Sequence, residues 1–290
     1  MTPAALALVL AGALCHAAWN ILAKRCTGGT VLVWQFGLVS LVPASALTLW
    51  SWHSQRLALT PAMAAAIAAS ALLHVLYSLA LQRGYRAGPF SVVYPVARGT
   101  GPLFTVLAAV VLWHEQPSLQ GWLGVAGVLA GIVLLARGPE RPQVGISAQA
   151  LRAGLHWGLA TGALVAGYSV VDAWAVKGLG MAPLVFYPLG LLLRSALLTP
   201  FALAGRDDAR AAWRAHRGAI VGVGLLSPIA YTLALLALQR APLSYVAPVR
   251  EVAMLAGAFV GARLLGEPLT PTRIAGVLVL LAGVAGVALA

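Results

Sequence analysis

Charge is scarce in this sequence. Of its 290 residues only 9% are Asp, Glu, Lys or Arg, against about 25% in a soluble globular domain, and Asp and Glu together number seven. That rules out a water-soluble fold of ordinary surface chemistry. Cysteine is nearly absent: Cys15 and Cys26 lie within and just after the first apolar run, too few for a disulfide framework, so free thiols are expected. Nucleotide and hydrolase signatures are missing as well. No Gly-x-x-x-x-Gly-Lys loop and no Gly-x-Ser-x-Gly elbow occur, and His114-Glu115 is followed by Gln116-Pro117-Ser118 rather than by the second histidine of a zinc protease. An ATP-driven mechanism, a resident cofactor and an enzyme of these types are therefore not expected. The net charge of +12 comes from Lys and Arg scattered singly or in small groups between apolar runs, without base-reading or stacking motifs, so nucleic acid is not an expected partner.

What the sequence has in abundance is apolar length. Hydrophobic residues make up 61% of the chain, and several runs exceed the roughly 18 to 20 residues that carry a helix across a hydrocarbon core of about 30 Å. Cutting at charged, Gly and Pro clusters predicts ten helices: 3–24, 31–51, 62–82, 89–112, 119–136, 154–176, 182–204, 218–239, 243–265 and 272–289. The first run starts almost at Met1 without a basic segment before it, which argues against a cleaved signal peptide. The expectation is an all-α integral membrane protein with ten transmembrane helices.

A pattern recurs along the chain. Pro95, Arg98, Glu115, Gly124 and Gly131 return as Pro248, Arg250-Glu251, Glu267, Gly276 and Gly283, with the same nine and sixteen residues from each glutamate to its two glycines. Each copy follows the same tetrapeptide, Ala80-Leu81-Gln82-Arg83 and Ala237-Leu238-Gln239-Arg240. Such spacing predicts a duplicated unit: a first five-helix repeat over 1–138, a loop over 139–153 and a second repeat over 154–290. Five spans per copy would thread the two copies through the membrane in opposite senses, giving inverted repeats. Loop charge sets the orientation. The loops after helices one, three, five, seven and nine carry Lys24, Arg25, Arg83, Arg86, Arg137, Arg141, Arg152, Arg206, Arg210, Arg214, Arg217, Arg263 and Arg273, thirteen in all, whereas the others carry Arg56, Lys177 and Arg240. The positive-inside bias then places the first set in the cytoplasm and both termini outside.

Ionisable groups deep in a bilayer cost about 2.5 to 3.5 kcal/mol each on insertion scales, and so point to function. The candidates are Arg98, Arg194, Arg250, Glu251 and Asp172, with His16 and His74. Arg98 is flanked by Pro95, Gly99, Gly101 and Pro102, which predicts a broken helix facing protein or water. Arg98 and Arg250 suit a fork for a carboxylate or phosphate-like group; the competing reading pairs either with Glu251 as an internal tie. Arg194 either lines the same cavity or neutralises Asp172. Three cations against two anions favour an anionic or zwitterionic cargo. Thr161, Tyr168 and Asp172 share a helical face, as do His16 and Asn20 with Trp19 beside them, and His74, Tyr77 and Ser78; Ser227 and Tyr231 mark another. With Tyr94, these residues predict a polar, aromatic chamber between the halves, or else plain helix-bridging hydrogen bonds. His16, His74, Asp172 and Glu251 are candidate proton carriers. Glu115 and Glu267, just past helix ends and beside prolines, suit capping. Gly124, Gly127, Gly131, Gly276, Gly283 and Gly286 mark helices five and ten as closely packed scaffold.

The segment His16-Ala17-Ala18-Trp19-Asn20-Ile21-Leu22-Ala23-Lys24 and the repeated Pro, Glu, Gly, Gly pattern make the whole chain resemble the EamA family of the drug/metabolite transporter superfamily. The resemblance implies an inverted-repeat carrier in which helices one to four and six to nine surround a cavity while five and ten buttress it. It further implies movement of small metabolites, often outward, at a bacterial inner membrane, with Pro95, Pro248, Glu115 and Glu267 at the family's motif positions. Similar proteins are drawn with both termini in the cytoplasm, opposite to the charge count. The expected function is a secondary transporter for a small polar metabolite (amino acid, organic anion or phosphonate-like solute), working by alternating access and coupled to protons as an exporter. An integral membrane enzyme acting on a lipid-borne group and a non-transporting membrane subunit are the alternatives. The expected partners are a small-molecule substrate and the lipid bilayer, with a homodimer as the one self-assembly considered.

Overall fold

A computed structural model describes residues 1–23, 26, 29–55, 58–136, 147–255 and 270–290. Lys24, Arg25, Arg56, Arg137, Arg141, Arg263 and Glu267, residues 139–146 of the expected inter-repeat loop, and the expected continuation of helix nine over 256–265 lie outside them. Every regular element among the described residues is helical. They are α1 (Pro3–Ala23), α2 (Gly29–Gln55), α3 (Pro61–Ala87), α4 (Phe90–Trp113), α5 (Leu119–Ala136), α6 (Ala148–Ala173, continued by a π-turn over Trp174–Gly178), α7 (Pro183–Ala204), α8 (Arg206–Leu238), α9 (Leu243–Val249, continued by a 3₁₀ turn over Arg250–Val252) and α10 (Pro271–Leu289). Helices α1 to α4, α6 to α8 and α10 are long and apolar enough to cross a membrane. Both cysteines are free.

Helices α3 and α6 run past their expected ends, to Ala87 instead of 82 and from Ala148 instead of 154, so that Arg83, Arg86 and Arg152 of the expected loops are helical, and two further features differ from the sequence expectation. Helix α8 starts at Arg206 instead of 218, so Arg206, Arg210 and Arg214 sit on helical turns, with Arg210 Nη1 3.6 Å from Asp207 Oδ1. At about 1.5 Å per residue its 33 residues outrun a bilayer core, and a kink at His216 (φ −129°, ψ 16°) separates the polar start from the apolar span. The second difference is α4, which runs unbroken through Pro95 and Pro102. Each proline removes only one ladder hydrogen bond, too little to end the helix when its flanks are packed. The break falls in the ninth helix instead, where the 3₁₀ turn begins two residues after Pro248.

The helices pair across the chain more than along it. The extensive pairs are α5 with α10, α1 with α8, α3 with α6, α2 with α7 and α8, and α4 with α6 and α9. Close approach rests on glycines. Gly154, Gly158 and Gly162 form one stripe on α6; a Cβ on Gly158 would lie 2.8 Å from Val96 of α4, and one on Gly162 would run into Thr100.

Prolines inside α7 and α8 leave carbonyls without their helical donors, and α2 supplies replacements. Pro188 strips the donor from the Leu184 carbonyl, which lies 2.9 Å from the Thr48 hydroxyl. Pro228 does the same to Gly224, whose carbonyl accepts from Ser40 Oγ at 2.7 Å, with Ser40 1% exposed. Ser40→Ala is therefore expected to lower stability by about 1 to 2 kcal/mol, the cost of a buried carbonyl left bare. The measurement is the thermal midpoint in detergent, with Ser45→Ala, whose hydroxyl bonds to the Val42 carbonyl at an exposed site, expected to leave it unchanged.

Candidate functional site

A cavity of about 210 Å3 lies at the centre of the bundle. Its walls come from α1, α3 and α4 of the first part of the chain and from α6, α7, α8 and α9 with its 3₁₀ turn of the second. Among the described residues, helices α5 and α10 give no wall residue, and neither does α2, which the resemblance placed around the cavity; its hydroxyls serve the proline-interrupted helices instead. The volume is below the roughly 300 Å3 at which drug-sized pockets begin, so the space suits a small metabolite.

The position of α9, and with it the residues that follow at the wall, is fixed by the loop after α4. Both carboxylate oxygens of Glu115 accept backbone N–H groups at the start of α9, from Leu243 at 2.8 Å and Ser244 at 2.9 Å. These are orphan donors of a helix N-terminus, where a carboxylate is favourable. Lys177, at the end of α6, lies 3.9 Å from Glu115 and donates to the Ala241 carbonyl at 3.1 Å. The sequence counterpart of Glu115, Glu267, lies outside the described residues.

Arg98 of α4 reaches across to Glu251, with Nη1 to Oε2 at 3.6 Å, and its guanidinium lies 5.6 Å from the centre of the Tyr94 ring. Of the two sequence readings for Arg98, an open fork or an internal tie, the geometry is that of the tie. Arg194 lies 5.3 Å from the Tyr187 ring and donates from Nε to the Gly190 carbonyl at 3.4 Å. Arg250 lies 5.3 Å from the Tyr231 ring. Among the described residues neither Arg194 nor Arg250 has a carboxylate within ion-pair distance. Tyr187 and Tyr231 stack on each other at 5.2 Å with their planes 28° apart, so the two arginines sit on one aromatic pair, each engaged by a ring face.

Asp172 lies behind the wall, 1% exposed, and among the described residues it has no cation within ion-pair distance. Its oxygens accept hydroxyl hydrogen bonds, Ser70 Oγ donating to Oδ1 at 2.6 Å and Tyr231 Oη donating to Oδ2. His74 joins this cluster. Its Nδ1 lies 2.8 Å from the Ser70 carbonyl, which can only accept, so Nδ1 carries the proton. The ring stacks on Tyr168 at 4.0 Å and meets Tyr231 edge-on at 5.6 Å, and its Nε2 is buried without a hydrogen-bond partner. Tyr77 meets Tyr168 edge-on at 5.7 Å. The cluster joins α3 to α6 and α8.

Of the residues singled out in the sequence, His16, Trp19, His74, Tyr77, Tyr94, Arg98, Tyr168, Arg194, Tyr231, Arg250 and Glu251 all lie on the cavity wall, with His16 and Trp19 edge-to-face at 4.7 Å. Asn20 does not; its Nδ2 donates to the His16 carbonyl one turn back at 2.9 Å. Ser78, grouped with His74 and Tyr77, likewise bonds its own helix, at the His74 carbonyl. Sequence reasoning missed Tyr187 and Ser70. Both carried a helical signal: Tyr187 precedes Arg194 by seven residues and Ser70 precedes His74 by four.

Comparison with known proteins places this arrangement. A solved crystal structure of a protein superimposes over 100% of this chain and 98% of its own with a TM-score of 0.76 at 16% identity, a likeness of fold. The chain is 41% identical over 70 residues to the probable 4-amino-4-deoxy-L-arabinose-phosphoundecaprenol flippase subunit ArnE of Escherichia coli O45:K1 (strain S88 / ExPEC), which is 24% of this chain and 59% of that protein's length. It is 32% identical over 115 residues to an uncharacterised protein, y4nH, of Sinorhizobium fredii (strain NBRC 101917 / NGR234), covering 40% of this chain and 87% of the relative. The profile of the EamA-like transporter family matches twice, over residues 3–137 and 152–289. Matched in this way through nearly its whole length, the chain is a multi-pass membrane protein that belongs to the EamA-like transporter family.

Proposed function

We propose that the chain is a secondary carrier that moves a small polar metabolite across a bacterial inner membrane by alternating access. The observation that carries this reading is the central cavity, built from helices of both parts of the chain and lined by three arginines against one carboxylate. The two parts are read as five-helix repeats, 1–138 and 154–290 joined by 139–153, inverted with respect to each other. Support comes from the packing: replacing every helix by the one five places along carries the pair α1–α8 into α6–α3, α2–α8 into α7–α3, and each of α2–α7, α4–α9 and α5–α10 into itself. That reciprocity is the mark of a two-fold relation, and an odd number of spans per repeat makes it an inverted one. Both termini are placed outside, on loop charge. A proton-coupled export cycle would use Asp172, whose oxygens are engaged by hydroxyls alone.

Proteoliposomes test the carrier. Gradient-driven accumulation of a radiolabelled amino acid, organic acid or phosphonate is expected from the wild type, and a drop of at least about tenfold from Ala97→Phe, which fills the cavity at a wall position. Chemical conversion of the solute without accumulation would overturn the carrier in favour of an enzyme. A second reading is favoured by the likeness to ArnE, named as a flippase subunit: the chain as one subunit of an assembly that handles a lipid-linked group. Lipid movement that appears only when a second protein is reconstituted would select it.

A further inference from the structure

We infer that the cavity is an oxyanion site, with Arg194 and Arg250 as the groups that take the carboxylate, phosphonate or phosphate of the cargo. The inference rests on the carrier reading and narrows it to a substrate class. The acidic and basic side chains with formal charge on and behind the wall are Arg98, Arg194, Arg250, Glu251 and Asp172. Both acids are occupied. Glu251 is held by Arg98, and Asp172 by the hydroxyls of Ser70 and Tyr231. No described carboxylate is left to hold an ammonium group, and a cationic cargo would meet an excess of positive charge. The faces of Tyr187 and Tyr231, where a cation would otherwise rest, already carry Arg194 and Arg250.

The same contacts leave the two guanidiniums available. A ring face engages the plane of a guanidinium and leaves N–H groups at its edge to donate. For Arg250 the ring is its one described partner; Arg194 uses Nε on the Gly190 carbonyl, which leaves its terminal nitrogens. Two planar donors on a stacked aromatic pair are a rigid receptor for oxyanion edges, because stacking restricts the rotamers that a free arginine would lose on binding. Arg250 also occupies the 3₁₀ turn that interrupts the ninth helix, and irregular backbone at membrane depth is tolerated where it lines a cavity.

The chemistry is shared by soluble oxyanions and by the phosphate of a lipid headgroup, and the test separates them. Purified protein in neutral detergent is titrated with methylphosphonate, succinate and inorganic phosphate, with choline as the cationic control, following the thermal midpoint. In parallel it is placed in nanodiscs of phosphatidylcholine with or without phosphatidylglycerol. Stabilisation by at least one soluble oxyanion and not by choline is expected. Arg194→Gln and Arg250→Gln are each expected to weaken it at least tenfold, while Arg240→Gln, at the exposed end of α8 and bonded to its own helix carbonyl at Leu236, leaves it unchanged. Arg194→Lys and Arg250→Lys, which keep the charge but lose the fork, are expected to fall between, and serve if a glutamine variant does not fold. Stabilisation confined to phosphatidylglycerol discs and lost in the same variants assigns the site to a headgroup. Equal binding of choline, oxyanion binding that survives both glutamine variants, or no stabilisation by soluble oxyanion or phosphatidylglycerol overturns the inference. Oxyanion binding without flux in proteoliposomes keeps the site and removes the carrier; flux of a cationic solute untouched by both variants keeps the carrier and removes the site.

Discussion

Gly283→Leu is expected to abolish the folded protein in the membrane. A Cβ at Gly283 would collide with the backbone of Val128, and would lie 2.7 Å from the Gly127 carbonyl carbon and 2.8 Å from the Gly124 oxygen. All of these are backbone atoms of α5, with no side chain to swing away, and α5 with α10 is the most extensive helix pair in the bundle. Gly131 faces Leu280 and Gly276 faces Leu135 at 2.5 to 2.8 Å along the same seam. Overpacking by a single methylene costs about 1 to 3 kcal/mol where neighbours can adjust; a leucine between two backbones should exceed about 4 kcal/mol, in the range of outright loss. Gly190→Ala is the control, since nothing lies within 4 Å of a Cβ there and alanine is the better helix former. Yield of monodisperse protein on size-exclusion chromatography reads both. Normal yield of Gly283→Leu would refute the packing of this seam.

Arg98→Gln is expected to destabilise the protein by about 2 kcal/mol, and Glu251→Gln in that background to restore most of the loss. Removing one member of a fully buried pair costs about 3 to 5 kcal/mol, because the charge left behind is unsolvated. Here the side chains are 27% and 15% exposed toward the cavity, and water there offsets part of that penalty. The double-mutant cycle in thermal midpoints isolates the coupling. Restoration by Glu251→Gln identifies Arg98 as the partner of Glu251. Additive losses would mean that Arg98 acts elsewhere.

The fold was legible because membrane helices are selected by hydropathy over lengths set by the bilayer: eight of the ten predicted segments lie in described helices long and apolar enough to span, the fifth is a shorter apolar helix, and the ninth is described only at its start. What escaped was polar. The first turns of α8 read as loop because Arg206, Asp207, Asp208 and Arg210 carry no apolar run, although their helix packs through Ala209 and Ala212. The break assigned to α4 falls in the ninth helix, where a 3₁₀ turn follows Pro248, because a proline marks where one ladder hydrogen bond is missing and not whether the helix ends there. For the site, helical spacing gathered His16, His74, Tyr77, Thr161, Tyr168, Ser227 and Tyr231 at the wall, since i, i+3, i+4 and i+7 positions share a face wherever the helix lies. Spacing says nothing of which helix a side chain meets. The pairing of Arg98 with Glu251, the hydroxyls of Ser70 and Tyr231 on Asp172, and the stacking of Tyr187 on Tyr231 all cross between helices remote in sequence. Asn20 shows the converse, a polar side chain on the right helix spent on its own backbone.

Thiol accessibility probes the chamber itself. With Cys15 and Cys26 replaced by serine and a single cysteine at Ala230, a buried wall position, oriented proteoliposomes are exposed to a membrane-impermeant thiol reagent from one face and then from the other. A chamber that opens alternately predicts labelling from both faces, at rates that shift in opposite directions when the cargo gradient is reversed. Labelling from neither face of folded protein, or from a single face under every gradient, would contradict it.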